Sequence, residues 1–263
     1  TAGGGFSLLA PAASSSAIFV GVDTGSAGAK AGVATVALAS DGAGSSGFAA
    51  FALASQQVAV SGNVYRFAVP VVDTTPITLV ARVGDAAPVA SIAVTNNAPD
   101  LFTERLNASL ASTSAAFTAA GSISGLTPNA SSNALSVSLA TTTAGSFGAG
   151  GTALAQVALV SSGAGTTLAP DEALGTASVT LAGRVYAPAV AQVNTPVLDF
   201  GIVRVGDTVA ARIVSVSNAA SGDLSDTLRA QFSGGGAPFT AAGTVDGLGA
   251  GGTNASALQV QLD

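Results

Sequence analysis

The chain has no cysteine, methionine, histidine or tryptophan, and Lys30 is its single lysine. Without cysteine there is no disulfide framework. Without histidine or cysteine, the Ser-His-Asp and Cys-His catalytic arrangements and the common zinc sites are excluded within these residues. Charged residues make up 8% of the 263 positions, against about a quarter in an ordinary globular protein. The polar surface must therefore come from Ser, Thr, Asn, Gln and Gly. A net charge of -6 with isolated arginines offers no basic stripe for a phosphate backbone, which argues against nucleic acid as a partner.

Long hydrophobic runs are also lacking. From Leu106 to Pro170 there is no charged residue, yet Ser, Thr, Asn and Gly interrupt the stretch too often for a bilayer span. The mean hydropathy of +0.58 comes mainly from Ala and Val.

What the chain does contain is repetition. "TPITLVARVGDAAPVASIAVTN" from Thr75 returns as "TPVLDFGIVRVGDTVAARIVSVSN" from Thr195. Val83-Gly84-Asp85 matches Val205-Gly206-Asp207, Asn96 matches Asn218, and "FTAAG" at Phe117 matches "FTAAG" at Phe239, an offset of 122. Toward the N-terminus, "VSGNVYRFA" at Val60 resembles "LAGRVYAPA" at Leu181, and Leu38 matches Leu159, an offset of 121. A period this long predicts autonomous tandem domains rather than a solenoid. The register places residues 1–70 in the C-terminal part of one repeat, 71–190 in a complete repeat and 191–263 in the N-terminal part of a further repeat. The chain is thus expected to begin and end inside repeat units.

Within a repeat the period is two. "ALSVSLA" puts Leu135, Val137 and Leu139 on one face and Ser136 and Ser138 on the other, the mark of a half-buried antiparallel strand. "AIFVGVD" (Ile18, Val20, Val22) and "ALQVQLD" (Leu258, Val260, Leu262) are its counterparts. Ile92, Val94, Val157, Leu159, Val179 and Leu181 join the inward set by the same rule. The clusters "SISGLTPNASSN" and "GTVDGLGAGGTNAS" read as turns. With no helical periodicity, some seven or eight short strands per repeat predict an all-β fold: tandem immunoglobulin-like antiparallel β-sandwich domains.

Leu198, Asp199, Phe200 and Gly201, then Val203, Val205 and Gly206, and finally Val216 and Asn218 form an LDFG-V-VG phrase followed by a strand ending in V-N. This resembles the opening of bacterial choice-of-anchor D and Hydin-type immunoglobulin-like modules. The middle repeat lacks the Phe-Gly pair and is two residues shorter, which predicts a weaker first strand there. The resemblance implies a secreted or surface-attached bacterial protein; its motif is structural and implies no activity.

Chemistry-bearing groups are sparse. Ser26 stands four residues before Lys30, where the familiar Ser-Lys motif has three, and Lys30 reads as a solvated residue of a turn. Asp171 with Glu172, and Asp223 with Asp226, are the paired acids, each in a turn-like segment that suits solvated caps better than acid/base work. The acids are too scattered for calcium, and "GSFGAGG" lacks the Lys and strand-to-helix setting of a phosphate loop. Asn107, Asn129 and Asn254 begin N-x-S sequons. Phe48, Phe51 and Leu53, in a connection whose counterpart has no aromatic residue, are candidates for a subunit or domain contact, with local core packing as the alternative. No cofactor is expected. The sequence points to a non-enzymatic extracellular or cell-surface structural protein that self-associates into a filament or surface layer. The alternative is an adhesin or carbohydrate-binding module, for which Tyr65 and Tyr186 are the only tyrosines available; a carboxylate-dependent hydrolase is a third reading with little support.

Overall fold

Alternation of apolar and small polar side chains does produce strands throughout the computed structural model, which describes residues 1–263. The N-terminal part holds four: β1 (Ala2–Gly3) pairs with β2 (Phe19–Val20), and β3 (Gly28–Ser40) forms a long hairpin with β4 (Phe51–Val64). No side chain before Ala68 is buried. Lys30 lies on β3 opposite Gly62, rather than in a turn as expected, because the Gly-Ala alternation around it continues the hairpin.

The middle part carries ten strands: β5 (Pro70–Val72), β6 (Ile77–Arg82), β7 (Val89–Asn96), β8 (Arg105–Ser112), β9 (Phe117–Ala120), β10 (Ser122–Leu126), β11 (Ser131–Leu139), β12 (Gly145–Phe147), β13 (Ala153–Ser162) and β14 (Glu172–Tyr186). One sheet runs β10-β8-β13-β14-β12, with β6 added parallel to β14; the other runs β5-β7-β11-β9. Between them lies an apolar core in which all nine side chains named from alternation are buried, from Val94, Leu135, Val137, Leu139, Val157, Val179 and Leu181 at 0% exposure to Leu159 at 7%.

The count exceeds the expected seven or eight because segments read as turns form short strands. Ser122–Leu126 carries the buried Ile123 and pairs with β8 through a bulge, and Gly125 takes the positive φ (65°) that the bulge needs. Gly145–Phe147, inside the glycine-rich "GSFGAGG", likewise extends along β14.

The last part has β15 (Ala191–Val193), β16 (Arg212–Asn218), β17 (Leu228–Gln231), β18 (Phe239–Ala242), β19 (Thr244–Leu248) and β20 (Thr253–Leu262). Its sheet β15-β16-β20-β18 repeats β5-β7-β11-β9, and β17-β19 repeats β8-β10. Only Val214, Val216, Val245 and Leu258 form its core cluster. The expectation for the first strands is reversed here. Middle-repeat Ile77–Arg82 is a strand, whereas the LDFG phrase from Leu198 is irregular, with Ile202 and Val205 fully exposed. The partner decides: β6 is held by β14 along six residue pairs, and the LDFG phrase has no such strand beside it.

The fold is therefore all-β and built on sandwich architecture, with one parallel pair in a set of otherwise antiparallel sheets.

Candidate functional site: the joints between units

Inward alternation in β7 runs Ile92, Val94, Asn96, and in β16 it runs Val214, Val216, Asn218. Each run thus ends by placing a carboxamide where an apolar side chain would sit. Both asparagines are 0% exposed. Such a group is tolerable only when its hydrogen-bonding capacity is used, and both use it in the same way.

Val69 N–H donates to Asn96 Oδ1 at 3.0 Å, while Asn96 Nδ2 donates to the carbonyls of Glu104 (3.0 Å) and Leu126 (3.2 Å). At the next joint Val190 N–H donates to Asn218 Oδ1 at 3.0 Å, and Asn218 Nδ2 donates to the carbonyls of Asp226 and Leu248, each at 3.1 Å. The backbone repeats as well: Asn97 N–H donates to Val69 O, and Ala219 N–H to Val190 O, both at 2.7 Å. Asparagine alone supplies one acceptor and two donors at this reach; aspartate has no donors and leucine has neither.

Just before each clasp the chain makes one parallel bridge to the following unit. Arg66 N–H donates to Phe102 O at 3.0 Å and Glu104 N–H to Arg66 O at 2.9 Å; Ala187 N–H donates to Leu224 O and Asp226 N–H to Ala187 O, both at 2.8 Å. The recurring Val-Gly-Asp has its own local reason. Asp85 Oδ2 accepts from Arg82 N–H (3.2 Å) and Asp207 Oδ2 from Arg204 N–H (3.1 Å), closing turns in which Gly84 and Gly206 hold φ of 85° and 90°.

Side chains individualise the two joints. At the first, the Tyr65 and Phe102 rings lie 5.8 Å apart, and Arg66 Nη1 approaches Asp100 Oδ1 to 2.8 Å. Beneath them, Ala68 N–H donates to Ser161 Oγ (2.8 Å), which donates to Glu104 Oε2 (2.7 Å), and Thr167 Oγ1 donates to Glu104 Oε1 (2.6 Å). Glu104 is 4% exposed, so these hydroxyls replace the water it loses. At the second joint Arg82 of the middle unit pairs with Asp226 of the next.

Two carboxyls titrate below the usual range. Asp100 is lowered chiefly by its interaction with Arg66, against desolvation, with help from Phe102 N–H; Asp73 is lowered by the Thr75 hydroxyl and N–H. A depressed folded-state value means that the contribution is complete above the ordinary carboxylate range and is lost as pH falls through the lowered value. The Asp100 carboxyl signal, followed by NMR against pH, should therefore titrate below a free aspartate, and Arg66→Ala should move its midpoint up. An unchanged midpoint in that variant would remove Arg66 as the cause.

The other sequence candidates lie apart from the joints. Phe48, Phe51 and Leu53 stand on and beside β4 with exposures of 78%, 70% and 49%. Lys30 Nζ donates to Ser26 Oγ at 2.7 Å, the direction opposite to that of a general base taking the serine proton. Asp171 and Glu172 are exposed at the start of β14, Asp223 is exposed, and Asp226 is drawn off by Arg82. No three acidic side chains converge. Of the sequons, Asn107 Oδ1 accepts from Gly125 N–H and Asn254 Oδ1 from the N–H of Ser256 and Ala257, while Asn129 is exposed in a turn. Tyr65 is half-buried against Phe102, and Tyr186 ends β14, also half-buried. No helix is long and apolar enough to cross a membrane.

The role of Asn96 and Asn218 was missed by motif reading, although alternation already put both on the inward face at matching positions. Glu104 gave only the weaker signal of an acid in register with Asp226.

No family model matches the chain, and no curated protein matches its sequence. Among solved structures it is similar to domains 4–9 of the surface layer protein SbsC, at 12% identity and a TM-score of 0.28, over 94% of this chain and 36% of that one. It is also similar to the S-layer protein rSbsC(31–844), at 13% identity and a TM-score of 0.26, over 93% of this chain and 31% of that one. The chain spans about a third of the length of these proteins, and the likeness is too distant to bear on fold or function.

Proposed function

We propose that this chain is a non-enzymatic structural protein of the bacterial cell exterior, a string of immunoglobulin-like sandwiches that self-associates into a surface layer or filament. The observation that carries this reading is the repeated joint. Two successive connections are fixed by the same parallel bridge and the same buried carboxamide, which makes the same three bonds at each; at the second, Asn218 Oδ1 also accepts from Ala220 N–H at 3.2 Å. Flexible linkers leave relative domain motion as the default. Joints with pinned backbones set a constant step from unit to unit, which a periodic array requires and a freely soluble binder or hydrolase does not.

The resemblance of Leu198–Asn218 to choice-of-anchor D and Hydin-type modules supports the address. Low charge supports close approach of copies, since self-repulsion is small. Tyr65 follows β4 and packs on Phe102, and Tyr186 ends β14; both are half-buried, so neither tyrosine is an open platform for the carbohydrate-binding alternative.

Electron microscopy of the purified protein tests the reading. Ordered sheets or filaments are expected, unchanged by EDTA. Dispersed particles at high concentration, or assembly that dissolves on chelation and returns with a divalent ion, would contradict it.

A further inference from the structure

The turn that joins β10 to β11 occurs three times in the chain. Ala130 N–H donates to Thr127 O at 3.1 Å, Gly252 N–H to Gly249 O at 3.0 Å and Ala13 N–H to Ala10 O at 3.0 Å, and in each turn the third residue is left-handed: Asn129 at φ 62°, Gly251 at 69° and Ala12 at 62°. Pro128 and Pro11 stand before it in two of the three, which sets φ at the second position of the turn. The inner side is shared as well, since Asn129 N–H donates to Asn96 O and Gly251 N–H to Asn218 O, both at 2.8 Å. The fold therefore asks this position for a backbone conformation and not for a side chain. Asparagine, glycine and alanine all serve.

What asparagine adds is a carboxamide that the fold does not use. Asn129 is exposed, and neither its Oδ1 nor its Nδ2 has a hydrogen-bond partner. The asparagines of the other two sequons are engaged. Asn107 is half-buried on β8, flanked by β10 and β13, and its Oδ1 accepts from Gly125 N–H at 2.7 Å. Asn254 is half-buried on β20, and its Oδ1 accepts from the N–H groups of Ser256 (3.2 Å) and Ala257 (2.9 Å). Two residues beyond Asn129, Ser131 supplies the sequon hydroxyl from the exposed start of β11. That hydroxyl has a structural partner of its own: Ser131 Oγ lies 2.7 Å from Thr95 Oγ1, as Thr253 Oγ1 lies 2.9 Å from Ser217 Oγ in the last unit. The asparagine is what sets the middle unit apart.

Resting on the exterior address proposed above, we propose that Asn129 is a glycosylation site, the acceptor of a sugar in N-glycosidic linkage. The donor class is a sugar activated as its diphosphate ester. Asn129 Nδ2 forms the new bond to the anomeric carbon, the carbon–oxygen bond to the diphosphate breaks with its electron pair leaving on oxygen, and one amide proton passes to a base of the transferase. The linkage leaves the backbone bond from Asn129 N–H to Asn96 O in place. The sugar thus stands on the outside of the first joint while the clasp beneath it stays closed, and it brings hydroxyls to a surface poor in charge.

The chain exported by the cells that make it is digested with chymotrypsin, and the peptide Thr127–Leu135, which follows Leu126, is read by electron-transfer mass spectrometry. It should carry sugar mass on Asn129, with Asn107 and Asn254 bare. A single hexose points to a nucleotide sugar as donor and a preassembled oligosaccharide to a lipid-linked one; both support the site. Asn129→Gly should abolish the modification. When both are made in a host without the transferase, this variant should melt at or above the temperature of the parent chain, because Gly251 already occupies the same turn. A large fall in melting temperature would make the carboxamide structural and overturn the argument. A bare Asn129 in assembled, exported material overturns the site alone and leaves the structural reading standing, whereas a chain retained inside the cell sinks both.

Discussion

Replacing Gly121 with alanine is expected to unfold the middle sandwich or cost it more than about 4 kcal/mol, at the extreme of single-substitution effects. Gly121 stands between β9 and β10 at φ 91°, and a Cβ there would lie 1.9 Å from the carbonyl oxygen of Ala134. The obstacle is backbone, so no rotamer change relieves it; the strands must part. The same arrangement occurs at Gly243, 1.7 Å from Ala257 O, and at Gly4, 1.8 Å from Ala17 O. Gly84→Ala is the control. Its φ of 85° is as unfavourable, but nothing lies within 4 Å, so only the left-handed backbone penalty of about 1–2 kcal/mol applies. Urea denaturation of the two variants should separate them clearly. Equal losses would mean that φ alone matters and the close approach to Ala134 is not rigid.

The second large effect is expected at the clasp. Asn96→Ala leaves the N–H of Val69 and the carbonyls of Glu104 and Leu126 without their partner around a fully buried carboxamide, the Glu104 bond buried and the other two part-buried. Each orphaned group costs about 1–3 kcal/mol, and some hydration through the new space lowers the total, so a loss of about 3 kcal/mol or more is expected. Asn96→Asp should do no better despite its shape, because it loses both donors and adds a carboxyl next to two carbonyl oxygens. Beyond stability, Val69 is then held through its carbonyl alone, by Asn97 N–H. Small-angle scattering should show a wider spread of interdomain distances than in the parent chain, with the matching change at the second joint for Asn218→Ala. A variant that loses stability but keeps the parent scattering profile would reduce the clasp to an ordinary core contact.

How much of this could be read beforehand differs from residue to residue. Leu135, Val137 and Leu139 were plain, because alternation is a local property of the strand. The matching "FTAAG" phrases pointed to Gly121 and Gly243 but not to Gly4, whose preceding residues Thr1-Ala2-Gly3 match the phrase only in part. Gly4 and Ala17 have the same separation as Gly121 and Ala134; the offset changes afterwards, where the first unit has "DTGSAGAK" and the middle unit has the longer "TTTAGSFGAGG" containing β12. Ser122–Leu126 was hidden by its Ser and Gly, since a bulged strand that buries only Ile123 has the composition of a turn. The LDFG phrase failed for a different reason: its pairing depends on a strand more than a hundred residues away in the middle unit, and no local pattern reports whether that strand is present. Asn96 was legible as an inward-facing position and illegible as a clasp, because its three partners come from separate segments.

The parallel pairing of β6 with β14 also governs what happens under tension. β6 lies near the entry of the chain into the middle unit and β14 leads out of it, so a pull along the string draws the two strands in opposite directions along their common axis. Their rungs, from Ile77 beside Leu181 to Arg82 beside Tyr186, are then loaded in shear and together, instead of opening one after another as in a hairpin peeled from its end. Forced unfolding is governed by the unfolding rate, and shear places several hydrogen bonds in the same rate-limiting step. A unit of modest equilibrium stability can in this way resist a steady mechanical load.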